Sequence, residues 1–508
     1  MSKNLETAGS TPQLEQKGIL RWIEQVGNKL PHPFMLFIYL AVIVMILSAL
    51  LAGMSVTHPG NGETIVVKSL LTQEGISWIL TSAISNFADF PPLGLVLIMV
   101  LGIGLAERVG LIEAVLRKMM ISVPKALLSI SVVFVGILGN LASDAAWVII
   151  PPVGAMLFAA VGRHPLAGFA AAAAGVGSGF TANLFIAGTD ALLSGISTEV
   201  AKTIDPNAAV TPVDNWFFMS ASVFVLALIG AWITDKVIEP RLGTYEGENQ
   251  SSVVKLSDLE SKALKWTGIA ALIYIVIIAL LVVPEGALLR DPETGGILNS
   301  PFLKGIIPII LLFFITVSVT YGLKMGRIKS QADVPKLMGE SIKDMSGFIV
   351  LVFVIAQFIA FFNWSNLGIL LAVKGADFLK SMDLTGFPIL LGFSLLTLVV
   401  SMFISSGSAL WAVLAPVFIP MLMLLDFHPA FIQIAYRIAD SATNTITPMN
   451  PYLPMMLAYY QRYKKDAGFG TILSTMLPYA IMFYIAWVVM MFIWYMFDLP
   501  IGPGISAH

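Results

Sequence analysis

The chain contains no cysteine in 508 residues, five histidines, and only 12% charged residues. The first absence excludes disulfides, thiol chemistry and Cys-ligated metal. The scarcity of charge, with 57% hydrophobic residues and a mean hydropathy of +0.86, excludes a soluble enzyme with a large core. No histidine lies beside an intramembrane aspartate and no His-Glu-x-x-His occurs, so no enzyme constellation is present. A Walker A sequence is also missing, which leaves ATP drive without support. Gly175-Val-Gly177-Ser-Gly179 lies inside an apolar run with no strand before it and is no nucleotide loop. The net charge of −2 argues against nucleic acid as a partner.

What is present is a series of apolar runs of about 20 residues, the length that crosses a bilayer core of about 30 Å. The chain reads as an all-α polytopic membrane protein. Full spans are expected near 34–54, 91–107, 166–187, 216–235, 264–283, 305–323, 346–363, 429–456 and 468–497. Two further apolar stretches, 124–162 and 385–427, carry polar breaks at Asn140–Asp144 and Ser405–Ser408. They also look like two copies of one segment. Ala145 matches Ala409, Trp147 matches Trp411, Pro152 matches Pro416, and His164-Pro165 matches His428-Pro429, all at one offset.

Loop charge orients these spans. Residues 1–33 are polar, with Lys17, Arg21 and Lys29, and read as a cytoplasmic segment, not as a signal peptide. The basic clusters near Arg108–Lys125, Lys236–Lys265, Lys324–Lys343 and Arg462–Lys465 are also placed inside. Segments 56–88, 188–214 and 284–303 are poor in Lys and Arg and are expected as outside loops. The parity closes if 124–162 and 385–427 are re-entrant hairpins entered from opposite sides. Non-helical backbone at membrane depth must line a cavity or be buried in protein, which favours hairpins over pairs of thin spans. The expected organisation is a first repeat over 34–235, a cytoplasmic linker over 236–263, a second repeat over 264–497, and a periplasmic tail over 498–508.

Ionisable residues inside spans cost about 2.5–3.5 kcal/mol and mark pathways. Asp144 sits at the first tip, where it reads either as a helix cap or as an ion ligand. Asp190 is expected at the outer end of span 166–187. Arg437 and Asp440, spaced i and i+3, share a helix face. They read either as a structural ion pair, or as a carboxylate-binding Arg437 beside an ion-carrying Asp440. After Asp440 come Ser441, Thr443, Asn444, Thr445 and Thr447, then Pro448, Pro451 and Pro454. Such a stretch cannot continue a plain helix, and its oxygens could face a cavity and hold Na+. The matching first-half stretch holds Ser178, Thr181 and Asn183. Trp147 and Trp411 follow the tips and either stack on an aromatic ligand or fill packing gaps. His164 and His428 read as structural.

Gly179-Phe-Thr-Ala-Asn183-Leu, Thr189-Asp190, Ser194-Gly-Ile-Ser-Thr-Glu199, Ser406-Gly-Ser408-Ala-Leu-Trp411 and Arg437-Ile-Ala-Asp440 together resemble the p-aminobenzoyl-glutamate transporter (AbgT) family, from about Trp22 to Gly504. The resemblance implies nine spans with two re-entrant hairpins in an inverted repeat. It also implies a homodimer in the bacterial inner membrane and transport of p-aminobenzoyl-glutamate coupled to H+ or Na+, with no other cofactor. Related members are linked to export of sulfonamide-type antimetabolites, and a general dicarboxylate carrier is the alternative. By resemblance, Asp190, Ser408, Trp411, Arg437, Asp440 and Pro448 are functional positions. Asn444 joins the substrate residues. Asp144, Asn183, Ser405 and Asn444 lie where the family's sodium ligands would come from. Moving a dianion inward costs about 2.3 kcal/mol per charge per 100 mV, so uptake needs at least two co-transported cations, with Asp190 and Asp440 as candidate carriers.

Overall fold

The computed structural model describes residues 31–57, 62–121, 124–245, 256–298, 300–382 and 385–508, without the side chains of 142–144. Residues 1–30 of the N-terminal segment and 246–255 of the central linker therefore lie outside the described residues.

Among the described residues, seven helical segments are long and apolar enough to cross a bilayer: Pro33–Leu50, Gln73–Arg108, Trp216–Leu242, Asp258–Val282, Ile306–Lys324, Ser346–Trp364 and Phe469–Met496. Two more are broken in the middle. Pro165–Gly177 is followed by an irregular stretch and then Gly188–Ala201; Pro429–Thr443 is followed in the same way by Leu453–Tyr463. Each broken helix is preceded by two arms with a polar break between them. The first pair is Leu128–Leu138 and Ser143–Ala160, joined by a 3-10 turn at Gly139–Ala142. The second is Phe387–Ser401 and Gly407–Met423. The expected breaks at both tips are thus present, and Ser406 caps the second arm by accepting from the Ala409 N–H at 3.4 Å.

Three expectations change. Segment 56–88 is not a loop: it forms a short antiparallel pair, Ser55–Thr57 with Thr64–Val66, and then the helix Gln73–Ala88. Segment 188–214 contains the helix Gly188–Ala201. The span expected over 166–187 ends at Gly177, so Asp190 does not mark an outer boundary; it opens the second half of a broken span. Serine, threonine and glycine in these stretches resemble loop composition; in Gly188–Ala201, Ser194, Gly195 and Ser197 are buried and line helix contacts.

His-Pro opens three helices for one reason. Proline fixes the first helical φ and needs no N–H partner. The preceding His32, His164 and His428 each accept a backbone N–H through Nδ1, at 3.3, 3.2 and 3.2 Å.

Every residue of Pro165–Gly177 and of Pro429–Thr443 is buried, whereas Asp258–Val282 exposes Leu272, Ile273, Ile275 and Leu280. The broken helices are therefore central and the apolar spans peripheral. The two breaks meet through hydroxyls. Ser178 Oγ lies 2.5 Å from Thr445 Oγ1 and donates to the Ala442 carbonyl, 264 positions away, at 3.3 Å. Thr181 Oγ1 lies 2.7 Å from Ser441 Oγ.

The basic clusters assigned to one side also meet. Arg108 pairs with Asp344, Arg117 with Glu113 and with Glu260, and Lys324 lies over the Trp266 ring. Arg163 joins Asp235 and Glu239, both at 2.5 Å, tying the end of the first hairpin to Trp216–Leu242.

Candidate functional site

Where the broken helices and the second tip converge, a cavity of about 430 Å3 opens. Its polar wall is Thr181, Thr189, Ser405, Ser406, Ser408, Asp440, Asn444, Thr447 and Asn450. Its aromatic wall is Trp147 and Tyr452, stacked at 5.2 Å and 13°, with Phe180 and Tyr436. One titratable carboxylate, Asp440, and a set of neutral donors and acceptors thus face one aromatic surface.

Glycine makes room for this arrangement at two points. A Cβ on Gly407 would lie 2.8 Å from Asp440 Oδ2, so only glycine lets the tip backbone approach the carboxylate. The Tyr436 hydroxyl donates to the Gly407 carbonyl and pins the tip there. A Cβ on Gly177 would lie 2.5 Å from Thr445 Cγ2 and 2.6 Å from Trp147. Gly177→Ala is expected to lower stability by about 1–3 kcal/mol through overpacking and to reduce transport, checked by thermal melting and flux on the same preparation.

Behind the cavity wall lies a buried polar network. Arg437 pairs with Asp190, Nη2 to Oδ1 at 2.7 Å, and not with Asp440 as the i, i+3 spacing suggests. Its Nη2 also donates to the Thr181 carbonyl at 3.1 Å, and Nη1 to Asn215 Oδ1 at 3.3 Å. The Ala187 N–H donates to Asp190 Oδ2 at 2.7 Å. Gln433 donates to Asn215 Oδ1 at 2.8 Å and accepts from Ser197 Oγ at 2.7 Å. Trp411 Nε1 donates to Ser197 Oγ at 3.2 Å. Arg437 is 1% exposed and Trp411 fully buried.

Ser408, Asn444, Asp440 and Ser405 therefore line the cavity as expected. Arg437, Trp411, Asp190 and Pro448 are not on its wall. Trp411 packs on Tyr436, rings 4.5 Å apart, and Tyr436 stands between it and the cavity. Asn183 is also off the cavity; both atoms of its amide are buried without a partner. The Asp144 side chain lies outside the described residues. Among the described residues, no group of three or more His, Asp or Glu could hold a metal ion.

Sequence reasoning missed Gln433, Asn215, Ser197, Tyr436 and Tyr452. A signal existed for the first and fourth. Gln433, Tyr436, Arg437, Asp440, Ser441 and Asn444 recur at helical spacing, a polar stripe on a buried helix.

Residues 18–508 match the family model described as "AbgT putative transporter family". The chain belongs to the AbgT transporter family. It is 50% identical over 499 residues to the p-aminobenzoyl-glutamate transport protein of Escherichia coli (strain K12), covering 98% of each chain. It is similar in structure to the YdaH transporter of Alcanivorax borkumensis, whose crystal structure reveals an unusual topology. The TM-score is 0.89 and the identity 40%, covering 93% of this chain and all of that one. It is likewise similar to MtrF of Neisseria gonorrhoeae, described as illuminating a class of antimetabolite efflux pumps. There the TM-score is 0.91 and the identity 44%, covering 96% and 100%. This AbgT-family chain is thus a predominantly helical member of a transporter family, and its relatives are transport proteins, not enzymes.

Proposed function

We propose that this protein is a secondary active transporter of p-aminobenzoyl-glutamate, driven by co-transported H+ or Na+. The observation that carries the reading is the pairing of the Trp147–Tyr452 stack with a hydroxyl- and amide-lined wall holding Asp440. The identity to the E. coli transport protein supports the same substrate. The aniline ring packs on Trp147, Ser408 and Asn444 meet the amide and carboxylates, and Asp440 carries the coupling ion. The free Asn183 amide oxygen is the acceptor offered to Na+. Arg437 acts from behind, by holding Asp190 and the Thr181 carbonyl in place.

The repeats are inverted, with hairpins entered from opposite sides, and the protein is a homodimer in the bacterial inner membrane, N-terminus cytoplasmic and C-terminus periplasmic. The charge of the loops supports the orientation, and the family resemblance supports the dimer. Outward transport of sulfonamide-type antimetabolites is the second reading, favoured by the likeness to MtrF.

The test is flux of labelled p-aminobenzoyl-glutamate in proteoliposomes under imposed Na+ and pH gradients of each direction. Flux following one gradient establishes the reading. Succinate flux without p-aminobenzoyl-glutamate flux replaces it with a dicarboxylate carrier. Trp147→Ala is expected to raise KM about two- to tenfold with kcat little changed, because ring stacking contributes about 0.5–1.5 kcal/mol.

A further inference from the structure

An apolar groove of about 350 Å3 lies between three helices, Leu111–Ile121, Asp258–Val282 and Ile306–Lys324. That volume falls in the range of ligand pockets. The groove shares no lining residue with the cavity that holds Asp440. It reaches the first hairpin at Leu138 and Leu141, and the first break at Phe185.

The helix Leu111–Ile121 has 11 residues, too few to cross a bilayer. It buries Leu111, Ile112, Leu116 and Met120 and carries Glu113, Arg117 and Lys118. That is the pattern of a helix lying in the membrane interface. Arg117 is committed to Glu113 and Glu260. Lys118 lines the groove and has no ion-pair partner among the described residues. Thr267 is the other polar side chain of the lining, and its hydroxyl donates to the Ala263 carbonyl at 2.9 Å. One unpaired cation thus stands beside a wall that otherwise calls for hydrocarbon.

Two observations show that the groove is open. A Cβ on Gly268 would meet nothing within 4 Å. Phe185 is 52% exposed, on the irregular stretch between Gly177 and Gly188. Non-helical backbone at membrane depth must be buried or line a cavity, and here an aromatic side chain beside such backbone is left uncovered. The occupant that fits is apolar along its length and anionic where it meets Lys118.

We propose that the groove holds one acyl chain of an acidic phospholipid, with the headgroup phosphate on the Lys118 ammonium. Basic side chains between helices at the cytoplasmic boundary recognise anionic headgroups in this way, and on the orientation proposed above Lys118 lies at that leaflet. The acyl chain covers Phe185 and packs on Leu138 and Leu141, so the bound lipid braces the turn of the first hairpin. A free phosphate shares the headgroup chemistry but leaves the apolar wall bare.

Native mass spectrometry of the full chain, delipidated in detergent and titrated with dioleoylphosphatidylglycerol or dioleoylphosphatidylcholine, tests the proposal. One phosphatidylglycerol per chain is expected, bound about fivefold more tightly than phosphatidylcholine, the factor that one basic side chain contributes at an anionic surface. Lys118→Gln is expected to erase that preference and to leave phosphatidylcholine binding unchanged. Gly268→Leu fills the groove and is expected to weaken both lipids about tenfold or more by displacing buried methylenes. Excess inorganic phosphate is expected to leave the lipid in place. Equal binding of the two lipids by the unaltered protein overturns the proposal, as does a preference that survives Lys118→Gln. Displacement by inorganic phosphate also overturns it, because recognition then rests on the headgroup alone. So does lipid binding unchanged by Gly268→Leu; if that variant at the same time dissociates a dimer, a second copy of this chain covers the groove. If Gly268→Leu does not fold, Lys118→Gln decides alone.

Discussion

Asp440→Asn is expected to abolish gradient-driven accumulation while leaving substrate binding nearly intact. Asp440 is 6% exposed and lies on the cavity wall, with the Gly407 backbone brought against it. Asparagine keeps the shape and removes the titratable charge. Each coupling charge contributes about 2.3 kcal/mol per 100 mV, close to fifty-fold in the accumulation ratio. The measurement is labelled uptake into proteoliposomes at a fixed diffusion potential, paired with equilibrium exchange, which needs no coupling. Exchange should persist and concentrative uptake should fall by that factor. Unchanged concentrative uptake would remove Asp440 from the ion path.

Arg437→Met is expected to be the most destabilising single change in the site. It leaves the Asp190 carboxylate buried with the Ala187 N–H as its remaining donor and takes the Arg437 donor from the Thr181 carbonyl, while Asn215 keeps its bond from Gln433. Breaking a buried pair by removing one partner costs about 3–5 kcal/mol, whereas replacing both with apolar groups is often neutral. Arg437→Met with Asp190→Leu should therefore recover much of the melting temperature. Transport should stay absent in both, because the network positions the wall behind the cavity. If Arg437→Met melts like the unaltered protein, the pair does not hold the site together.

Most of the apolar spans, the two polar tips and the unwound stretch after Asp440 were legible in the sequence, because apolar length and polar interruption are local properties. Partner choice was not. The i, i+3 rule pairs Arg437 with Asp440 on one helix, but the structure gives Arg437 to Asp190 in the other half. Packing of distant helices makes that choice, and spacing along one helix carries no record of it. Trp411 shows the same limit. It lies one turn from Ser408, yet Tyr436 from another helix takes the place between it and the cavity. Gln73–Ala88 and Gly188–Ala201 were hidden for a different reason: their serines, threonines and glycines have loop-like composition, although Thr72 caps the first helix by accepting from the Gly75 N–H and the second is largely buried against its neighbours.

The hydroxyl pairs at the crossing of the two broken helices also constrain how such a chain can change over generations. Ser178 and Thr445 belong to different halves, as do Thr181 and Ser441. Loss of the Ser178 or the Thr181 hydroxyl takes the hydroxyl partner from buried Thr445 or Ser441, while loss of both members of a pair leaves neither hydroxyl unsatisfied. Substitutions along this seam should therefore be tolerated in matched pairs and resisted singly. A chimera that joins the first half of one relative to the second half of another would inherit the mismatch at these four positions, however well its spans agree elsewhere.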